Sequence, residues 1–263
     1  MAFKVTKIAY KKTDSFSKLV LDYLDEDEQL KDFYTYSPNE EGFKKAIHDR
    51  KNYPVNRTVL VSQLVKQYEG IEISDKLKTN IEALLSEDTF TVCTAHQPNI
   101  FTGHLYFIYK ILHAIKLSDE LGSLFNDKKF VPVYYMGSED ADLDELGEVY
   151  VNGTQHKWQT SQTGAVGRMI IDKAFIKLIA ALVGQLSVKV HGTEIMAAVK
   201  LYYKENDTIE NATFLFVHYL FNNYGLVILK PDCKIFKKEF TTILKKELEE
   251  QFSENAVDRK SVV

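Results

Sequence analysis

Two cysteines in 263 residues, Cys93 and Cys233, are too few and too far apart for a disulfide framework, and they form no CxxC of a thiolate zinc site. Glycine (12) and proline (5) are likewise too sparse for a collagen-like or low-complexity disordered chain. No apolar run approaches the roughly 18 residues of a membrane-spanning helix, and Met1–Tyr10 (MAFKVTKIAY) lacks the apolar core of a signal peptide. The cytoplasm is the default compartment that follows. Excess positive charge is missing too. With 33 Lys and Arg against 37 Asp and Glu, the net charge of −4 argues against a nucleic-acid partner held through its phosphates. A single small anion needs only a local pocket and stays open. What the chain does have is core: 45% of its residues are hydrophobic, including 16 Phe and 15 Tyr.

Residues 1–89 read as a helical layer. Phe16, Leu19, Val20 and Tyr23 have helical spacing, as do Val61, Leu64, Val65 and Tyr68. Ser74 is a natural N-cap for a third helix carrying Leu77, Ile81, Leu84 and Leu85. Residues 90–152 change character. Phe90–Ala95 (FTVCTA) is apolar on both faces, as a buried parallel strand would be, which makes Cys93 an inert core thiol. A helix is predicted over His104–Leu117 and a second buried strand over Phe130–Met136, with Pro132 near its start or at a bulge. Val149–Val151 adds a short third. Strand, helix, strand at this spacing is a βαβ unit with a parallel sheet.

Residues 153–205 break the rhythm and read as an inserted connecting segment. It has a polar start, where Trp158 and His156 are expected at the surface, and helices over Ala174–Leu186 and Glu194–Tyr203. Residues 206–263 resume the α/β pattern: a helix over Asn211–Tyr224, a strand Leu226–Leu229 and an amphipathic helix Phe236–Phe252. The last residues, AVDRKSVV, carry neither breaker nor cap and read as the start of a further helix. The fold class is therefore α/β, a Rossmann-like parallel sheet with an N-terminal helical layer and an insertion.

In such a sheet, ligands collect where the chain leaves the carboxyl ends of the strands. The first exit, HQPNIFTGH, ends in Thr102-Gly103-His104. Thr102 as N-cap, Gly103 allowing close approach, His104 as a donor and Lys110 as a cation would make a phosphate or carboxylate cradle. The same residues also fit an ordinary capped helix. On the cradle reading, Gly103→Val blocks the approach and leaves the fold intact. The second exit places Glu139, Asp140, Asp142, Asp144 and Glu145 within seven residues. Strand alternation would set Asp140, Asp142 and Asp144 on one side, to hold Mg²⁺, bind an ammonium or act as a base. Acids also favour the first turn of a following helix. The two loops are expected to share one cleft, and Lys230 and Asp232 mark a third exit.

TAHQPNIFTGHLYFIYKILHAIKL followed by FVPVYYMGSEDADLDEL resembles the bacillithiol-biosynthesis cysteine-adding enzymes. FSKLVLDYL, LKDFYTY and ENDTIENATFLFVHYLFNNYGLVIL extend the likeness over nearly the whole chain. The resemblance implies a cysteine ligase that joins the cysteine carboxyl to the amine of glucosaminyl-malate. It further implies a Rossmann-like core and a homodimer made through a C-terminal coiled coil, which this chain lacks. The family's Gln-Pro-x-x-Phe-Thr-Gly falls on Gln97, Pro98, Phe101, Thr102 and Gly103, with Tyr106 and Lys110 following. Its Gly-x-Glu-Asp-x-Asp falls on Gly137, Glu139, Asp140 and Asp142, with Glu145 after it. His96, His104 and Ala141 depart from the Gln, Pro and His of many members, so no general acid stands at position 141.

From this resemblance Lys110, Asp140 and Asp142 take catalytic roles. Gln97, Thr102, Gly103 and His104 bind the nucleotide, and Glu139, Glu145 and Tyr106 bind substrate. ATP would activate the cysteine carboxylate, with Mg²⁺ on Asp140 and Asp142. Family members continue well past residue 263, so the chain resembles their N-terminal portion. Taken alone it is expected to lack ligase activity, to expose an apolar patch on its last helix and to self-associate. The rivals are a non-catalytic ligand-binding or regulatory relative and a metal-dependent hydrolase. The absence of a paired histidine ligand set counts against the hydrolase.

Overall fold

A computed structural model describes residues 4–254, in two compact units. The helix start read at 256–263 lies outside the described residues. The first unit takes in residues up to Val55 and those from Leu244 onward. Its helices are α1 (Lys18–Leu24), capped by Ser17, and α2 (Glu40–Arg50), capped by Asn39. Among its described residues only Gly42 is buried, so it is a thin unit held by ring pairs such as Tyr23 on Tyr34.

The second unit, Asn56–Ile243, carries the sheet. It opens with α3 (Arg57–Gln67) and α4 (Asp75–Ala83), the latter capped by Ser74 as its sequence position requires. Strand β1 (Thr89–His96), helix α5 (Leu105–Leu124) and strand β2 (Lys129–Met136) follow as the βαβ unit. The chain then forms a short helix α6 (Leu143–Leu146) and an antiparallel hairpin of β3 (Glu148–Val151) and β4 (Thr154–Lys157). Helices α7 (Lys173–Leu186), α8 (Gly192–Tyr202) and α9 (Ile209–Phe221) lead into β5 (Val227–Leu229). Beyond it lie α10 (Lys234–Glu239) and α11 (Thr241–Glu250).

The sheet order is β1-β2-β5, all parallel, with Cys93 opposite Val133 and Val133 opposite Val227. The central strand β2 is buried along nearly its whole length, as a two-faced apolar run demands. Pro132 sits inside it, neither at its start nor at a bulge. It precedes the stretch paired with β5, which begins at Val133. Strand β5 lies at an edge, and α3 closes that edge with side chains. The Ile228 N–H donates to the Tyr68 hydroxyl at 2.9 Å, Gln67 Nε2 donates to the Ile228 carbonyl at 2.8 Å, and the Lys230 N–H donates to Gln67 Oε1 at 3.1 Å. Burial pushes the Tyr68 phenol far up, so it stays a neutral partner.

Four expectations need correction. Strand β1 is the other edge strand, with Thr91, Cys93 and Ala95 exposed, so Cys93 is no core thiol. Val149–Val151 does not join the parallel sheet. Asn152 and Gly153, at φ 51° and 79°, make the tight turn that folds it back onto β4. Trp158 is buried at 1% exposure in a second core, with Phe175, Ile179, Tyr203 and Phe216. Phe236–Phe252 is not one helix: it breaks at Phe240 between α10 and α11. Phe240, Ile243, Leu244 and Leu248 along it are exposed, as the apolar stripe implied. Among the described residues no helix is long and apolar enough to cross a membrane.

Candidate functional site

The three strand exits converge. Ala95, His96 and Gln97 from β1, Tyr135, Gly137, Glu139 and Asp140 from β2, and Pro231 after β5 line one open cleft of about 390 Å³. That is the place an open parallel sheet assigns to a ligand. The buried Tyr134 hydroxyl fixes its floor by donating to the His96 carbonyl at 3.1 Å.

The first and second exits meet through Gln97, whose Nε2 donates to Asp140 Oδ2 at 2.8 Å. The Asp142 N–H donates to the other oxygen, Oδ1, at 3.2 Å. The Gln97 bond, then that of Asp142, holds the Asp140 carboxyl below its ordinary value, so it is a fixed anion at the cleft wall. His96 Nε2 lies 2.9 Å from the Tyr106 hydroxyl, and its Nδ1 lies 3.3 Å from the Gln97 carbonyl. Burial and the neighbouring Lys110 push the imidazole pKa down, which keeps it neutral at pH 7. Lys110 Nζ donates to the Ala95 carbonyl at 2.7 Å.

The acids do not line up on one side, because β2 ends at Met136 and the loop turns. Asp142 caps α6 through the Glu145 N–H at 3.1 Å, and Asp144 pairs with Lys157 at 2.5 Å. Glu145 is exposed on α6 and does not line the cleft. Among the described residues no three of His, Cys, Asp and Glu converge to hold an ion. Both Asp140 oxygens are engaged, Oδ2 by Gln97 and Oδ1 by the Asp142 N–H, and Asp142 Oδ1 is spent on the α6 cap.

Thr102 and Gly103 do not line the cleft either. Ile100 is fully buried, and the Phe101 ring packs on Phe175 and Tyr203 at 5.3 and 5.2 Å, drawing the loop into the second core. Phe101, Thr102 and Gly103 all take positive φ, so the helix starts late: its N-cap is His104, with no side-chain capping bond. The His104 ring stacks over Tyr106 and Tyr150. A β-carbon on Gly103 would lie 2.7 Å from that of Asn99, so the glycine serves packing as well as its φ of 60°. Gly103→Val is accordingly expected to cost about 2–5 kcal/mol, from left-handed strain and overpacking. A urea denaturation midpoint equal to the parent's would refute this.

What remains for an anion is backbone. The N–H groups of Leu105 and Tyr106 at the start of the 20-residue α5 have no partner among the described residues. Such donors fit a phosphate.

A cluster that sequence reasoning missed stands at the rim. Arg168, the last residue of the 3₁₀ turn Val166–Arg168, grips Asp232 with two bonds, Nε to Oδ2 at 2.5 Å and Nη2 to Oδ1 at 2.8 Å. Lys237 Nζ bridges Asp232 Oδ1 and Glu139 Oε1, both at 2.5 Å. The bonds from Arg168, with help from Lys237 and against the effect of burial, hold the Asp232 carboxyl at about 2. The insertion is locked onto the acidic loop by backbone as well: the Gly167 N–H donates to the Ser138 carbonyl at 3.0 Å and the Val166 N–H to that of Asp140 at 2.8 Å. Asp232, at a strand exit, and Glu139, in the acidic loop, carried a sequence signal; Arg168 and Lys237 carried none.

A family model described as "Bacillithiol biosynthesis BshC, N-terminal Rossmann-like domain" matches residues 3–262. The chain belongs to the BshC family. Among its relatives, each named "Putative cysteine ligase BshC", the protein of Cytophaga hutchinsonii is 41% identical over 250 residues, covering 95% of this chain and 46% of the relative. That of Flavobacterium johnsoniae is 40% identical over 257 residues, covering 95% and 47%. That of Flavobacterium psychrophilum is 38% identical over 253 residues, covering 95% and 48%. The chain thus spans about half the length of the curated BshC relatives it matches. Its fold is the Rossmann-like one of the family's N-terminal domain.

Proposed function

We propose that the cleft serves the ligation of cysteine to glucosaminyl-malate in bacillithiol synthesis, and that it binds the amine-bearing partner. The observation that carries this is the lining itself: it includes Glu139 and Asp140 and no lysine or arginine. Of the two, Glu139 is neutralised by Lys237, whereas Asp140 meets no cation among the described residues and attracts an ammonium. The names carried by the relatives supply the reaction class.

Amide formation joins the amine nitrogen to the cysteine carboxyl carbon, breaks that carbon's bond to a leaving oxygen and frees a proton. Asp140, its pKa lowered, anchors the ammonium and is a poor proton acceptor. With Nδ1–H on the Gln97 carbonyl, His96 Nε2 accepts from the Tyr106 hydroxyl, and as a neutral imidazole it can take up that proton by way of that hydroxyl. A bound nucleotide would supply the leaving group by activating the carboxylate. The N–H groups of Leu105 and Tyr106 are the residues of this chain that would hold its phosphate, with the Lys110 charge one turn further along.

Calorimetric titration of glucosaminyl-malate and of L-cysteine into the chain tests the reading, with mass spectrometry for ligated product with and without ATP. Both substrates are expected to bind. Failure of both to bind overturns the reading, and binding without product from either this chain or a full-length relative favours a non-catalytic ligand-binding role.

A further inference from the structure

We infer that Arg168 and Lys237, held by Asp232, form a carboxylate-binding subsite on the rim of the cleft, with Glu139 lying where the ligand's carboxylate would sit. This rests on the reading of the cleft as a site for an amine-bearing substrate, and it assigns the other end of that substrate.

The cluster is built asymmetrically. Asp232 is the fixed member, with its side chain 15% exposed and both oxygens engaged by the two cations. Glu139 is the loose member: it is 46% exposed, lines the cleft, and meets Lys237 at 2.5 Å but Arg168 Nη2 only at 3.7 Å. Arg168 uses one edge of its guanidinium on Asp232, and its Nη1 has no partner among the described residues. The ammonium of Lys237 has a third donor unspent. Two cations and two carboxylates leave the group neutral. If Glu139 swings into solvent, a net positive charge remains, with a rigid fork and a free ammonium facing a carboxylate.

A tether between the insertion and the strand exits would need Arg168 and Asp232 alone. It would not need a second carboxylate drawn from the cleft wall. The ligand class is therefore a small molecule carrying an ammonium for Asp140 and a carboxylate for Arg168 and Lys237. Both L-cysteine and glucosaminyl-malate have that pattern, and one of them supplies the carboxylate.

The test is titration calorimetry on the whole chain with L-cysteine, cysteamine, glucosaminyl-malate and methyl glucosaminide. Arg168→Gln and Lys237→Met are each expected to weaken one carboxylate ligand by about tenfold or more, and to leave cysteamine and methyl glucosaminide unchanged. Whichever ligand loses affinity is the source. Glu139→Gln, which frees Lys237, is expected to tighten the same ligand several-fold, whereas a purely structural tether predicts no gain. Arg168→Lys keeps the charge without the fork and should fall between parent and Gln. It also controls for a Gln variant that melts early. If both substrates bind and Asp140→Asn weakens them while the Arg168 and Lys237 variants do not, the subsite is refuted and the cleft reading stands. If neither substrate binds the parent chain, both fall.

Discussion

Truncation of Trp158 to alanine is expected to cost about 3–5 kcal/mol, the largest single loss in the second core. The indole is 1% exposed and meets Phe175 edge-on with ring centroids 5.1 Å apart. Its Nε1 donates to Asp172 Oδ1 at 2.9 Å, the same oxygen that caps α7 by accepting from the Phe175 N–H at 2.9 Å. Alanine would open a cavity and strip a partner from a capping carboxylate. Trp158→Phe keeps most of the volume and loses the N–H, so about 1–2 kcal/mol should go. Trp158 is the only tryptophan, so the comparison is made by urea denaturation followed in far-UV circular dichroism. A loss below 1 kcal/mol for the alanine variant would contradict the packing described.

Asp140→Asn should weaken glucosaminyl-malate binding by about 10- to 100-fold, the scale of a charge-assisted hydrogen bond together with loss of the local field. Asparagine keeps the shape and can still accept from Gln97 but not also from the Asp142 N–H, so the loss reads the charge together with that one bond. An N-acetylated analogue, which has no ammonium, should bind parent and variant alike. The pH dependence follows from the depressed carboxyl. Asp140 stays ionised from pH 7 down past its ordinary range, so affinity should be flat between pH 5 and 7. It should fall at higher pH as the ligand's own amine loses its proton. A parent chain whose affinity rises with that deprotonation would show that Asp140 does not anchor an ammonium.

The sheet was legible because β2 and β5 are short apolar runs and α5 repeats its apolar residues at helical spacing. The cap at Ser74 was legible from one residue. The hairpin turn was missed although Asn152-Gly153 is a strong local signal, because Val149–Val151 suited a third parallel strand equally well. Trp158 was misplaced because a polar neighbourhood in sequence says nothing about the helices that later cover it. Local spacing could not show that Phe101 is pulled into a distant core, so α5 was started too early and the crowding of Gly103 against Asn99 was missed. Within the candidate site, the strand exits and Asp140 came from topology and composition. Arg168 and Lys237 did not, since they meet Asp232 and Glu139 across 64 and 98 residues of chain and leave no local pattern.

The side chains that α3 lays along β5 have a consequence for how the molecule meets others. Tyr68 and Gln67 answer the peptide groups of that margin as a neighbouring strand would, so one rim of the sheet is finished. On the β1 rim, among the described residues, side chains take the carbonyls at the two ends, Arg57 Nη2 that of Thr89 at 3.0 Å and Lys110 Nζ that of Ala95 at 2.7 Å, and leave the middle of the strand uncovered. The sheet therefore has a direction of growth: any strand that docks, from a partner or in a misassembled aggregate, docks beside β1.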